Sequence, residues 1–134
     1  MDKKTGYFAY KVRGEGGDNA DPTEMRHNIS NGMLLCNQLR TMLPDFTIYC
    51  PHEHEDLFQE PHRSGVINSE QILKQCFAIE DLCEYVFICS NPSKSGGVGR
   101  EMVRGYDNGK TIIVLYTKPV LEWAEYLAKV VKCG

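Results

Sequence analysis

The segment Asn91-Pro92-Ser93-Lys94-Ser95-Gly96-Gly97-Val98-Gly99-Arg100-Glu101 holds the residue types best suited to gripping a small anion. Its glycines let the backbone approach a ligand closely, and its serines offer hydroxyl donors. A helix that starts here presents free N–H groups to negative charge. It is not a Walker A loop, because no Gly-Lys-Ser/Thr closes it. Glu101 follows directly, and a carboxylate beside an anion-binding loop can serve as nucleophile or proton carrier. Read by itself, it equally suits a surface glutamate in a first helical turn, complementing the dipole.

Two further clusters carry chemistry. Arg13-Gly14-Glu15-Gly16-Gly17 lacks the G-x-G-x-x-G spacing of a dinucleotide loop, but Arg13 could clasp a phosphate through two N–H groups. The alternative is a flexible loop with a solvated arginine. In His52-Glu53-His54-Glu55-Asp56 an H-x-H pair stands beside carboxylates. It has no recognised ligand spacing, so a solvated loop or a substrate-facing one is expected, with no metal and no cofactor. Glu80 and Asp81 are expected on an exposed helix face. Tyr7, Tyr10 and Tyr49 lie at strand ends, where they could stack on a base or simply pack.

The apolar periodicity supplies the frame. Tyr7–Val12, Phe46–Cys50, Glu84–Cys89 and Lys110–Tyr116 read as strands, the last two nearly continuous and so buried on both faces. Asp21-Pro22-Thr23-Glu24 starts a helix that Pro44 stops, and Asn68-Ser69-Glu70-Gln71 starts another. Arg100–Asn108 and the stretch after Pro119 complete the helices. His52–Gly65 is polar without a period and reads as a long loop. The alternation predicts a single α/β domain over residues 1–134, Rossmann-like (flavodoxin-like), in three layers. Its four- to five-stranded sheet is mostly parallel, with helices on both faces. Ligands of such sheets bind at the carboxyl ends of the strands. The loops Arg13–Ala20, Pro51–Ser64, Ser90–Gly99 and Thr117–Lys118 are expected to meet there.

Composition limits the function classes. The chain has 134 residues, 42% apolar and 25% charged, with a formal net charge of -3. That is ordinary globular composition without the basic excess of a nucleic-acid or anionic-membrane binder. No apolar stretch is long enough for a membrane span, and the first residues lack a signal-peptide core, so a cytoplasmic protein is expected. The six cysteines form no C-x-x-C pair and read as buried, reduced thiols.

Tyr7-Phe8-Ala9-Tyr10-Lys11-Val12-Arg13-Gly14 and the run from Val86 through Ser95 to Glu101, then Gly105 and Gly109-Lys110, resemble the nucleoside 2-deoxyribosyltransferase-like family. They are most similar to its deoxynucleoside 5'-monophosphate N-glycosidase branch. The resemblance spans about residues 6–117 and is sharpest over Ser95–Glu101. It implies Glu101 as the catalytic nucleophile and Ser95 as a ligand of the 5'-phosphate. Arg13 and Gly14 would form the first phosphate loop, with Asn91 and Gly97 to Gly99 near the sugar; Tyr10, His52 and Ser93 complete the expected substrate contacts. The partner implied is a small nucleoside or nucleotide, not a nucleic-acid polymer or a membrane. A homodimer or higher homo-oligomer is implied too. The aspartate that the family carries at the second helix falls near Gln75 or Cys76, where none stands. Glu80, Asp81 or His54 would then have to supply the proton for the leaving base. Two alternatives remain at this point: a nucleotide-binding or sequestering protein without turnover, and a TIR-like NAD-cleaving module.

Overall fold

The computed structural model describes residues 3–131. Four strands form one parallel sheet: β1 (Lys4–Ala9), β2 (Phe46–Tyr49), β3 (Tyr85–Ile88) and β4 (Thr111–Val114), in the order β2-β1-β3-β4. Five helices accompany them: α1 (Pro22–Met42), α2 (Asp56–Arg63), α3 (Ser69–Glu80), α4 (Gly96–Asp107) and α5 (Trp123–Val130). The arrangement is the expected three-layer Rossmann-like one. No described helix is long and apolar enough to cross a membrane.

Strand alternation divides the core into two layers. Phe8, Phe46, Ile48, Phe87 and Ile113 pack against Cys36 and Leu39 of α1 and Trp123 and Leu127 of α5. Tyr7, Ala9, Val86 and Ile88 face the other way, onto Cys76 and Ile79 of α3 and Val98 and Met102 of α4. The chain leaves β1 toward the α1 face, and α4, which follows β3, packs on the opposite face. The two strands are neighbours, so a crevice opens between the segments that follow them.

The helix starts follow local chemistry. Asp21 accepts from the Thr23 N–H at 3.0 Å with Pro22 in the first turn of α1, and Asn68 and Gln71 form a reciprocal capping box at α3. Several expected boundaries move. β1 begins earlier and ends at Ala9, because the ladder to β3 finishes at the Ala9–Ile88 pairing. Tyr10, Lys11 and Val12 therefore belong to the crevice loop. The expected long loop after β2 is instead a tight turn, Pro51–His54, followed by α2. α2 spans only Asp56–Arg63, offers Leu57 and Phe58 as its large apolar residues and carries Pro61, which reads as a helix breaker, so it was too short to establish a period. α4 begins at Gly96, not Arg100; its glycines hid the start that the Ser95 cap provides. Glu80 is fully buried, not on an exposed face. The five described cysteines are free, four of them buried and Cys76 half-buried; Cys133 lies outside the described residues.

Gly6 shows how tightly the sheet is packed. A Cβ there would lie 2.5 Å from Cε2 of the buried Phe87 ring. We predict that Gly6→Ala destabilises the fold by about 1–3 kcal/mol, the usual range for overpacking a core. Urea denaturation reads this directly; an unchanged midpoint would contradict it.

Candidate functional site

The crevice between the β1 and β3 loops holds a cavity of about 260 Å³. Its wall comes from the β1 loop (Tyr10, Arg13, Gly14), the turn after β2 (Pro51, Glu55), α3 (Ser69, Leu73, Cys76) and the start of α4 (Ser95, Gly96, Gly97, Glu101). Three of the four expected loops meet here. Thr117–Lys118 does not, because the Lys118 and Leu115 carbonyls accept from the Trp123 indole N–H, at 3.0 Å each, which turns that segment toward α5.

Glu101 stands in the second turn of α4 with its side chain almost enclosed, 6% exposed. The hydroxyl of Tyr7, a fully buried residue in the middle of β1, donates to Glu101 Oε2. Burial pushes the carboxyl up to about 8; the Tyr7 hydrogen bond pulls against this, and the nearby Glu80 carboxyl adds to it. Gly105, one turn further along α4, permits the close approach. A Cβ there would sit 2.9 Å from Ile112 Cδ1 and 3.0 Å from Glu80 Oε2.

Ser95 is buried and caps α4, accepting from the Val98 N–H at 3.4 Å. Gly96 and Gly97 then turn the open, positive end of α4 toward the cavity. Across from them Arg13 donates to Glu55 in a buried ion pair, with side chains 10% and 3% exposed. Arg13 Nε is buried without a partner, so a donor of this guanidinium is unspent. Burial raises the Glu55 carboxyl, and Arg13 counters it.

Of the ten expected site residues, Glu101, Tyr10, Arg13, Gly14, Ser95 and Gly97 line this cavity. His52, Asn91, Ser93 and Gly99 do not. His52 is buried against Gly32 of α1, where an added Cβ would fall 2.6 Å from its ring. Its Nε2 donates to the Lys11 carbonyl at 3.1 Å. With Asn28 donating to the Val12 carbonyl and the Lys11 N–H donating to Ser90, it fixes the β1 loop from behind. Asn91 accepts from the N–H and hydroxyl of Ser93, so these two side chains satisfy each other. Gly99 packs on the backbone; a Cβ would lie 2.9 Å from the Pro92 carbonyl oxygen. The H-x-H pair diverges, since His54 stacks on Tyr49 with ring centres 5.4 Å apart. No group of three metal-ligating side chains exists among the described residues.

The proposed proton donors fare no better. Glu80, Asp81 and His54 are all outside the cavity wall. Asp81 is clasped by Arg104 through two N–H donors, which hold its carboxyl below the usual range. Cys76, one of the two positions near which the resemblance would place an aspartate, lines the cavity. Burial and Glu101 push its thiol up to about 12, so it is a poor acid.

Sequence reasoning missed Tyr7 as the partner of Glu101, although strand alternation already puts Tyr7 and Ala9 on the face opposite Phe8. It also missed Ser69 in the cavity wall. Ser69 joins His62 and Asp18, yet no relay results: both the Ser69 hydroxyl, at 2.7 Å, and His62 Nε2, at 2.9 Å, point at the same oxygen, Asp18 Oδ1. The cluster ties the Gly14–Asn19 turn to α2 and α3 at the cavity edge.

A scan against protein-family models finds no match, nor does a search of curated proteins or of solved structures.

Two buried acids give this site a thermodynamic signature. Glu80 has neither oxygen hydrogen-bonded, and burial pushes it up to about 7. Glu80 and Glu101 thus keep protons in the folded chain that the unfolded chain releases near 4.5. The folded state binds more protons between about 4.5 and 8, so stability falls as pH rises through that window. Each proton gives a slope of about 1.4 kcal/mol per pH unit. We predict that denaturation midpoints decline from pH 5 to pH 8 and that Glu101→Gln and Glu80→Gln each flatten the decline. A flat wild-type profile would contradict the protonated, buried state of both.

Proposed function

We propose that the protein cleaves the N-glycosidic bond of a nucleoside 5'-monophosphate, with Glu101 as nucleophile. The observation that carries this reading is that Glu101, almost enclosed, lines one cavity with the Ser95 cap, the open N-terminus of α4 and Arg13. That combination suits a sugar phosphate: an anion at the helix end and a carboxylate within the same small space. The resemblance over Ser95–Glu101 points the same way.

The chemistry follows from the residues. Ser95, the Gly96 and Gly97 backbone and Arg13 hold the phosphate, which fixes the sugar over α4. Glu101 attacks the anomeric carbon as the bond to the base breaks, giving a glycosyl ester. Tyr7 fixes the carboxyl through Oε2, and Oε1 accepts no hydrogen bond among the described residues, so it is the attacking oxygen. Water, or a second base, then attacks the same carbon and frees the carboxylate, the two-step logic of retaining glycosidases.

A reading without turnover is favoured by Gln75 and Cys76: the resemblance would place an acid near them, and neither is one. It predicts nucleotide binding with no free base formed.

Chromatography of free base after incubation with nucleosides, deoxynucleosides, their 5'-monophosphates and NAD separates these readings. The expected result is release from a monophosphate, reduced at least about 1,000-fold in Glu101→Gln with binding retained. Because Glu101 must be ionised and burial holds it near 8, kcat/KM is expected to rise with pH up to about 8. Release from no monophosphate would overturn the proposal. Cleavage of NAD alone would point to the TIR-like activity.

A further inference from the structure

Once the base leaves, its ring nitrogen needs a proton, and the acids expected to give it do not reach the cavity. Three carboxyls line the cavity: Glu55, Glu70 and Glu101. Glu101 is the nucleophile of the proposed reaction. Glu70 is half-exposed and clasped by the Arg100 guanidinium, which holds it ionised at the rim. Glu55 closes the tight turn after β2 and lines the same cavity, with its side chain 3% exposed. Cys76 of α3 lines the same cavity as Glu101 and Glu55 and feels the charge of both.

Resting on the glycosidase reading, we propose that Glu55 is the proton donor to the leaving base, and that it is armed when Arg13 takes up the ligand's phosphate. In the free protein the Arg13 guanidinium neutralises Glu55. A phosphate bound to Arg13 draws off that charge and sets a dianion beside an enclosed carboxyl. Burial then favours the protonated form. The other titratable groups near Glu55 are His52 and His62, which work against burial, and the Cys76 thiol and Tyr49 hydroxyl. In the first step the Glu55 proton passes to the ring nitrogen as the C–N pair moves onto that nitrogen and Glu101 Oε1 bonds to the anomeric carbon. In the second, water attacks that carbon, the ester opens, and the Glu55 carboxylate takes the water's proton. Protons balance and Glu55 returns to its starting state. The arrangement ties turnover to the phosphate group, so a nucleoside lacking it meets an unarmed site.

The test uses two substrates. One is a 2-deoxynucleoside 5'-monophosphate carrying adenine; the other is 4-nitrophenyl 2-deoxyriboside 5-phosphate, whose leaving group needs no proton. Glu55→Gln is expected to slow base release from the nucleotide by about 100- to 10,000-fold, the usual contribution of general acid catalysis. It should leave the first-turnover burst of 4-nitrophenolate at the wild-type rate, with the steady release after it slowed because Glu55 also takes the water's proton. Equal loss in the first turnover of both substrates, or loss in neither, overturns the role of Glu55 and leaves the glycosidase reading standing. If Glu101→Gln still releases 4-nitrophenolate at the wild-type rate, the glycosidase reading itself falls. Arming is read separately by calorimetry of sulfate binding in two buffers of different ionisation heat, since sulfate carries no titrating proton near neutrality. Wild type should take up close to one proton and Glu55→Gln, which still binds sulfate, none. No uptake in wild type overturns the arming step.

Discussion

A carboxyl with almost no access to water sits at the seam between β1 and α4, held by a tyrosine that is itself fully buried. Several features of the architecture serve this contact. β1 must be a central strand for Tyr7 to reach α4, and the order β2-β1-β3-β4 makes it one. α4 must lie close to the sheet for Glu101 to reach Tyr7, and Gly105 permits that approach where a side chain would strike Ile112 and Glu80. The helix must also start early enough to open its positive end beside Glu101, which the Ser95 cap accomplishes. Burying an ionisable group costs free energy unless the group is paired or neutral. Among the described residues Glu101 is held by one hydrogen bond and no cation, so the fold carries this cost locally, as functional sites often do.

The second buried carboxyl of the cavity is solved differently. Glu55 has a cation, Arg13, and the pair spans from the β1 loop to the turn after β2. Main-chain carbonyls of the β1 loop are gripped from behind by His52 and Asn28, so the Arg13 guanidinium starts from a fixed position. Burial raises both carboxyls, but only Glu55 has a cation working against it, so two acids of one type meet different partners within one small space. Glu80, behind α4, stands outside that space; its charge state reaches the cavity through Glu101.

Much of the frame was legible in the sequence because it rests on local rules. Alternating periods of two and 3.6 marked all four strands and four of the five helices, and the Asp21 and Asn68 caps fixed two helix starts. α2 escaped because a two-turn helix with an internal proline is too short for its period to be told from a loop. α4 was shortened because Gly96, Gly97 and Gly99 speak against a helix until the cap at Ser95 is counted. At the site, residues that touch the cavity through their own strand or helix start were found, namely Arg13, Gly14, Ser95 and Glu101. Residues whose role depends on a distant partner were not. His52 looks like a substrate ligand until Gly32, twenty positions away, is seen to clear the space that buries it. Glu80 looks solvated until α4 covers it. Tyr7 meets Glu101 across 94 positions, a pairing no local pattern encodes.

The central claim is a covalent bond between Glu101 and the anomeric carbon. A nucleoside 5'-monophosphate carrying fluorine at the sugar 2-position slows the second step, so that the ester accumulates. Incubation with this compound, followed by intact-mass measurement and peptide mapping, tests the claim directly. The account predicts one sugar phosphate per chain, on the peptide holding Glu101, and none on Glu101→Gln. Base released with no adduct, or an adduct on any other residue, would contradict it.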